Sequence, residues 1–298
     1  MFWPYAYSDI FEYTFWPTAY DPGYWAYAYD DFVDTVFWGT DSPYSAYARY
    51  PEPGAAITDF RARGRASVSQ QTLRQLCGEP DKGVTAWPIA EITRAVQPTP
   101  EQRTLLDELK AAAAKAADAF KESCADSYAM TPPGRLRAMT NRVGATLNAV
   151  KIVRPALEQF YNSLNDEQKA RFNALGPNVG ERSQQEANAQ AEKCGDPKSS
   201  LTQLPIERIE AVVRPAGEQK ESLDRLSDVT KKAVSGLQAA CPDDVPLTPI
   251  GRLDAMEKRL KAMLEAADWV QDALDKFYAT LSSEQKARFN TLQQTASP

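Results

Sequence analysis

The sequence predicts an all-α protein in which two tandem four-helix repeats follow an aromatic-rich N-terminal arm. Two observations carry this prediction. The chain matches itself when it is shifted by 117 residues, with 43 identities over the 99 positions that pair residues 77–175 with residues 194–292. Each copy also carries apolar residues at steps of three and four, the spacing that places them on one face of a helix.

Each repeat predicts a short helix, two long helices and a short final helix. The first short helix lies in the segments PIAEITRAV and PIERIEAVV, where proline suits the first helical turn. In the first repeat, apolar stripes over residues 106–124 and 136–164 predict the long helices, and the second repeat carries the latter stripe over 253–281. Pro155 lies inside a long helix and predicts a kink there, whereas Asp272 takes its place in the second repeat.

Three helix starts carry the signature of a capping box, a pair of side chains that bond each other's backbone amides. In each, a cap residue with a side-chain oxygen is followed three positions later by glutamine. The pairs are Thr99 with Gln102, Asn165 with Gln168, and Ser282 with Gln285. We therefore expect one long helix to begin beside Thr99 and the short final helix of each repeat to begin at the EQKARFN run.

These helix starts resemble the LTxxQ motif of the Spy/CpxP family of bacterial periplasmic proteins. LNDEQ (164–168) and LSSEQ (281–285) match it with Asn and Ser in place of Thr, PTPEQ (98–102) resembles the family's other copy, and PAGEQ (215–219) is a weaker version. The residues that match the motif and the run after it are Leu164, Gln168, Arg171, Phe172, Leu281, Gln285, Arg288, Phe289, Thr99 and Gln102.

The resemblance implies both a fold and a function. Family members are all-helical, carry two motifs per subunit and pair into a curved dimer that acts as an ATP-independent chaperone or an envelope-stress modulator. One chain here would carry two family-like domains, as a fused pseudo-dimer, and its partners would be unfolded or partner polypeptides in the cell envelope. The chain has no histidine, so the zinc binding of some relatives is not expected.

Composition argues against an enzyme and against a nucleic-acid-binding protein. The absence of histidine removes the commonest general base and the commonest zinc ligand, and no carboxylate pair stands out from the helix faces. We predict no catalytic, cofactor-binding or metal-binding residues and no cofactor. The formal charge of −6 arises within residues 1–50, and the balanced charge of the remaining chain argues against nucleic-acid binding.

Four cysteines lie at two equivalent pairs of positions, each pair 47 residues apart in sequence. Duplication favours one disulfide within each repeat, Cys77 with Cys124 and Cys194 with Cys241. Buried thiols and a four-cysteine zinc site are the alternatives, although the CxxC spacing of zinc sites is absent. Disulfides form in oxidising compartments, so we predict a periplasmic or otherwise exported protein.

The N-terminal arm holds 19 of the 30 aromatic residues within residues 1–50. In one interpretation its rings pack onto the helical body. In the other they form an exposed surface for a partner protein or a polysaccharide, with Trp3, Trp16, Trp25 and Trp38 as the candidate contacts. The second interpretation gives an alternative function, a cell-envelope scaffold or adaptor that grips its partner through the arm.

These patterns divide the chain into four parts: the arm at 1–50, a linker at 51–65, the first repeat at 66–176 and the second at 177–298. No run of 18 apolar residues predicts a membrane-spanning helix. No basic segment followed by an apolar stretch opens the sequence. Export would therefore require a signal or a membrane anchor upstream of Met1, which we state as a hypothesis.

Overall fold

The computed structural model describes residues 89–122, 131–174, 206–240 and 248–290. Helices account for 90% of these residues, and no strand occurs among them. The predicted all-α fold of two tandem repeats is confirmed in the parts of the chain that the structure describes.

In the residues that the structure describes, the first repeat contains two short and two long helices, as the sequence predicts. They are α1 (Ile89–Val96), α2 (Pro100–Glu122), α3 (Pro132–Ser163) and α4 (Asp166–Asn173). The short helices α1 and α4 pack against each other, and the long helices α2 and α3 form a hairpin. The two short helices therefore pack together at one end of the repeat, and the two long helices pack along their length.

The second repeat repeats this arrangement with nearly the same helix lengths. Its helices are α5 (Ile206–Val213), α6 (Glu218–Ala239), α7 (Pro249–Thr280) and α8 (Ser283–Asn290). The long helices α3 and α7 each contain 32 residues, so α3 continues through Pro155 without losing a turn. Whether Pro155 gives α3 a different curvature from α7 stays a prediction.

The two repeats share one hydrophobic core, because α3 of the first repeat packs along α7 of the second. The apolar stripes predicted for these helices point into it. The fully or nearly fully buried members on the two helices include Leu136, Val143, Val150, Val153, Leu157, Phe160, Leu253, Met256, Leu260, Val270, Leu274 and Phe277. Burying an aliphatic or aromatic side chain contributes about 1.5–3 kcal/mol, so this shared core holds the repeats together.

The ends of the helices are fixed by local hydrogen bonds that recur in both repeats. Thr131 caps α3 by accepting from the backbone N–H of Gly134 at 3.2 Å, and Thr248 caps α7 in the same way. Gln97 and Arg214 end α1 and α5 with φ angles of 50° and 53°. This left-handed conformation is strained for residues other than glycine, and both repeats keep it immediately before a proline.

Candidate functional site

The two motif glutamines of the first repeat bind each other inside the core. Nε2 of Gln102 donates to Oε1 of Gln168 at 3.0 Å, and Nε2 of Gln168 donates to Oε1 of Gln102 at 2.8 Å. Their residues are only 8% and 5% exposed. We call this pair the first amide clasp. A buried primary amide must find partners for both its donor and its acceptor atoms, which this reciprocal pairing begins to supply.

Backbone groups at four helix ends satisfy the rest of the first clasp. One Oε1 accepts from the N–H of Thr99 and the other from the N–H of Asn165, both at 3.0 Å. One Nε2 donates to the carbonyl of Ser163 at 2.8 Å and the other to that of Val96 at 3.3 Å. The clasp thus ties the ends of α1 and α3 to the starts of α2 and α4. Glutamate could not donate these bonds, which explains the requirement for glutamine.

The capping boxes predicted at these helix starts are present and are part of the clasp. The side chain of Asn165 accepts from the N–H of Gln168 at 2.9 Å, which completes the box at α4. The hydroxyl of Thr99 accepts from the N–H of Gln102 at 3.3 Å at α2. Each motif glutamine therefore caps its own helix and reaches across to the other motif at the same time.

The second repeat contains an equivalent clasp between Gln219 and Gln285, with reciprocal bonds of 2.9 and 2.8 Å. This second amide clasp also bonds the carbonyls of Thr280 and Val213 at the ends of α7 and α5. Its glutamines are more exposed than those of the first clasp. Ala216 stands where the first repeat has Thr99, so the cap lacks its hydroxyl and only the glutamine's half of the box remains.

An aromatic pair lies behind each clasp and anchors the final helix. Phe172 of α4 meets Phe160 of α3 edge to face, with ring centroids 5.8 Å apart. Phe289 and Phe277 repeat this contact at 5.7 Å in the second repeat. All four phenylalanines are fully buried. The phenylalanine of the EQKARFN run is thus a packing residue, and its ring geometry is a favourable one for aromatic pairs.

The remaining motif residues divide between the interior and the surface. Leu164 and Leu281, which begin the motifs, are each 4% exposed and belong to the core. Arg171 and Arg288 lie on the exposed side of the final helices, and Arg288 is 3.9 Å from Glu284 one turn earlier. The motif therefore holds helix ends together.

A sequence model of the LTXXQ motif family matches the chain twice, over residues 84–176 and 201–293. Together these matches cover more than half of the chain. The chain belongs to the LTXXQ motif family. The tandem resemblance seen in the sequence is confirmed. The comparison with curated proteins found no match, and neither did the comparison with solved structures.

The two LTXXQ repeats meet along α3 and α7, which run antiparallel. Near the start of α3, Arg137 Nη2 lies 3.1 Å from Oδ2 of Asp275, near the end of α7. Further along α3, Arg154 reaches the start of α7, with Nη2 2.6 Å from Asp254 and Nη1 2.6 Å from Glu257. We call this charged contact line between α3 and α7 the seam. Because α3 and α7 are equivalent helices that run antiparallel, an approximate two-fold axis relates the two repeats within one chain.

Arg154 contacts three carboxylates at the seam. Its Nε donates to Glu158 one turn later on α3, at 2.8 Å, and these carboxylate contacts raise the pKa of the guanidinium. Glu257 lies 2.5 Å from Nζ of Lys261, and its side chain is only 10% exposed. Hydrogen bonds from Lys261 and Arg154 lower the pKa of the Glu257 carboxyl against the opposing effect of burial. Both partners are therefore held in their charged forms.

The outward faces of α3 and α7 differ in chemistry. Among the described side chains, those exposed on α3 include no acidic residue: Arg137, Asn141, Asn148, Lys151, Pro155, Gln159, Asn162 and Ser163. The charged residues exposed on α7 have both signs: Asp254, Lys258, Lys261, Glu265, Asp268, Asp272 and Lys276. Half-buried apolar residues, Ile152 on α3 and its counterpart Trp269 on α7, accompany these polar groups.

Several predicted sites lie outside the described residues. They include all four cysteines and the four arm tryptophans, so the two disulfides and the role of the arm stay predictions. The division of the chain into domains at 50, 65 and 176 also stays a prediction. In the described segments of these LTXXQ repeats, no helix combines the length and the hydrophobicity that crossing a bilayer requires.

Sequence reasoning found the motif glutamines but missed that they bind each other. A signal was present, because the two glutamines are 66 residues apart in both repeats, as expected of a contact inherited by duplication. The seam was also missed. Its signal was the set of positions where the LTXXQ repeats differ in charge, among them Arg137 against Asp254 and Arg154 against Gln271.

Proposed function

We propose that this LTXXQ protein is a periplasmic, ATP-independent polypeptide-binding protein that keeps non-native polypeptides from aggregating. The observation that carries the proposal is the assembly of two family repeats in one chain around the antiparallel helices α3 and α7. The resemblance to the Spy/CpxP family associates such paired helices with chaperone activity. A single chain would therefore supply the surface that a dimer supplies in the smaller relatives.

The surface chemistry of α3 and α7 supports this function. Unfolded polypeptides expose apolar segments together with backbone amides and charges of both signs. The outward faces offer amide side chains such as Asn141 and Asn148 and mixed charges on α7. The half-buried Ile152 lies among these groups, and so does Trp269, with Nζ of Lys232 from α6 4.3 Å from its ring centroid. A surface of this kind binds many sequences weakly through scattered apolar and polar contacts, which suits a protein that must release its clients without nucleotide.

The test is light scattering of a heat-denatured client enzyme, such as citrate synthase, with the full chain at stoichiometric ratio and without nucleotide. We expect the chain to suppress aggregation. Ile152→Asn on α3 should weaken this suppression, because it removes an apolar contact from the outward face. Leu105→Asn on α2 is the matched control, since Leu105 is also half-buried and its counterpart is already polar, Ser222. Unchanged aggregation with the wild-type chain would overturn the proposal.

The second candidate, a cell-envelope scaffold or adaptor, is favoured by the concentration of 19 of 30 aromatic residues in residues 1–50. Deletion of residues 1–50 separates the two functions. Retained suppression of client aggregation supports the chaperone. Loss of binding to envelope proteins or to an isolated envelope polysaccharide, with unchanged helical circular dichroism and no anti-aggregation activity in either form, supports the scaffold.

A further inference from the structure

The seam joins two helices that descend from one sequence but carry different charges. A shift of 117 residues relates α3 to α7 position by position. The seam positions correspond as follows: Arg137 to Asp254, Thr140 to Glu257, Arg154 to Gln271, and Glu158 to Asp275. Three of these four positions differ in charge between the repeats, and the fourth has kept its carboxylate.

The two ends of the seam would be identical in a symmetric pair, but here they use different chemistry. At one end, Arg137 pairs directly with Asp275 at 3.1 Å, and Gln271 donates to the same carboxylate at 3.0 Å. We call this the glutamine end. A neutral side chain at 271 avoids placing a second cation beside Arg137.

At the other end, three carboxylates surround one arginine: Glu158, Asp254 and Glu257 all contact Arg154. Glu158 and Asp254 occupy the positions that Asp275 and Arg137 occupy at the glutamine end. Arg154 contacts Glu158 at 2.8 Å and both Asp254 and Glu257 at 2.6 Å, and so bridges carboxylates that would otherwise repel one another. We call this the arginine end. Each end therefore keeps its observed ion pairs only when one helix is α3 and the other is α7.

We propose that the seam is specific for one first repeat against one second repeat and rejects the pairing of either repeat with a copy of itself. Two copies of α7 in this register would place Asp254 against Asp275 at both ends, with no arginine to separate them. Two copies of α3 would place Arg154 beside Arg137 of the other copy at both ends, with Glu158 as the one seam carboxylate for the two arginines. Like charges at such distances disfavour the wrong pair even when the apolar contacts are the same.

This specificity determines which repeats can associate when several full-length chains are present. The apolar faces of α3 and α7 that meet at the seam are alike, so apolar packing alone would also permit like repeats of different chains to associate. The charge pattern removes these alternatives. The partner that fits α3 is thus the second repeat of this protein, which in a single chain is already tethered beside it at a high effective concentration.

The test exchanges seam charges within the full-length chain. The double variant Arg137→Asp with Arg154→Gln gives α3 the charges of α7, and Asp254→Arg with Gln271→Arg gives α7 the charges of α3. We expect each double variant to lower the thermal midpoint at low salt by at least about 5 °C. We expect a smaller loss at 0.5 M salt, since salt screens the repulsion between partly exposed charges.

The decisive variant combines all four substitutions, which exchanges the two ends of the seam except for Glu257 and its counterpart Thr140. Because Glu257 then keeps Lys261 but loses Arg154, the variant should recover part of the midpoint lost by either double variant. This readout remains available if one double variant fails to fold. Lys110→Asp with Lys115→Gln makes the same change of charge on exposed positions of α2 and should alter the midpoint by less than about 2 °C. A four-fold variant no more stable than the double variants, or double variants with the wild-type midpoint, would overturn the proposal.

Discussion

The first amide clasp allows a sharp prediction, the effect of Gln168→Met. Methionine has nearly the shape of glutamine but forms none of its hydrogen bonds. The substitution removes four bonds of 2.8–3.3 Å: two to Gln102, one from the N–H of Asn165 and one to the carbonyl of Val96. Because shape is kept, the loss of stability should report on these bonds and little on packing.

The magnitude follows from what the substitution leaves behind. Each lost bond contributes about 1 kcal/mol, and a buried polar group left without a partner costs about 1–3 kcal/mol. The amide of Gln102 keeps one bond at each atom, to Ser163 and Thr99, so its loss is partial. We therefore expect the free energy of unfolding to fall by about 3 kcal/mol, with a thermal midpoint roughly 6–12 °C lower for a chain of this size.

The second repeat provides the matched control, because Gln285→Met removes the same set of bonds at a more exposed site. Water can replace them there, so the loss should be about 1 kcal/mol. A double variant, Gln102→Met with Gln168→Met, should cost less than the two single changes added together, since neither partner is left unsatisfied. Urea unfolding followed by circular dichroism compares the three single variants and the double variant with the wild-type chain. Equal losses for Gln168→Met and Gln285→Met would refute the reasoning.

Three further predictions follow from helix ends and from the seam. Gln97→Gly or Arg214→Gly should raise stability by about 0.5–1 kcal/mol, seen as a higher urea midpoint, because glycine relieves the left-handed strain. Thr131→Ala should lower it by about 1 kcal/mol through loss of the α3 cap, measured in the same assay. The pKa of Glu257 is lowered in the folded state, so its contribution is present at neutral pH and is lost as pH falls below its ordinary value of 4.5. Glu257→Gln should flatten the acid side of a midpoint-against-pH curve, and an unchanged slope would contradict the assignment.

The fold could be predicted from sequence because its determinants are local. Apolar residues at steps of three and four identify the helices. The capping boxes that begin at Thr99 and Asn165, each four residues long, mark where α2 and α4 begin. Because the unit is duplicated, these sequence patterns recur in the second repeat. Pro155 lies inside α3, as the sequence predicts, and the kink predicted there stays a prediction.

The candidate site could be predicted only in part because its contacts join distant residues. Periodicity and capping rules place Gln102 and Gln168 at helix starts, but they contain no information about which two starts meet. Arg154 and Glu257 are 103 residues apart and in different repeats. Their contact depends on how the repeats pack, which a helical pattern within one repeat does not specify.

The contrast between the clasps and the seam explains which features of the duplicated unit stayed the same. Each repeat must close its own helix ends, so Gln168 and Gln285 perform the same task and both lie in an unchanged EQKARFN run. A dimer of identical subunits must use a face complementary to itself. Once two repeats share one chain, that requirement disappears, and a position such as 154 can hold arginine in one repeat while 271 holds glutamine in the other. The asymmetric seam is therefore the expected result of fusing a symmetric pair, whereas divergence of the clasps would weaken each repeat alone.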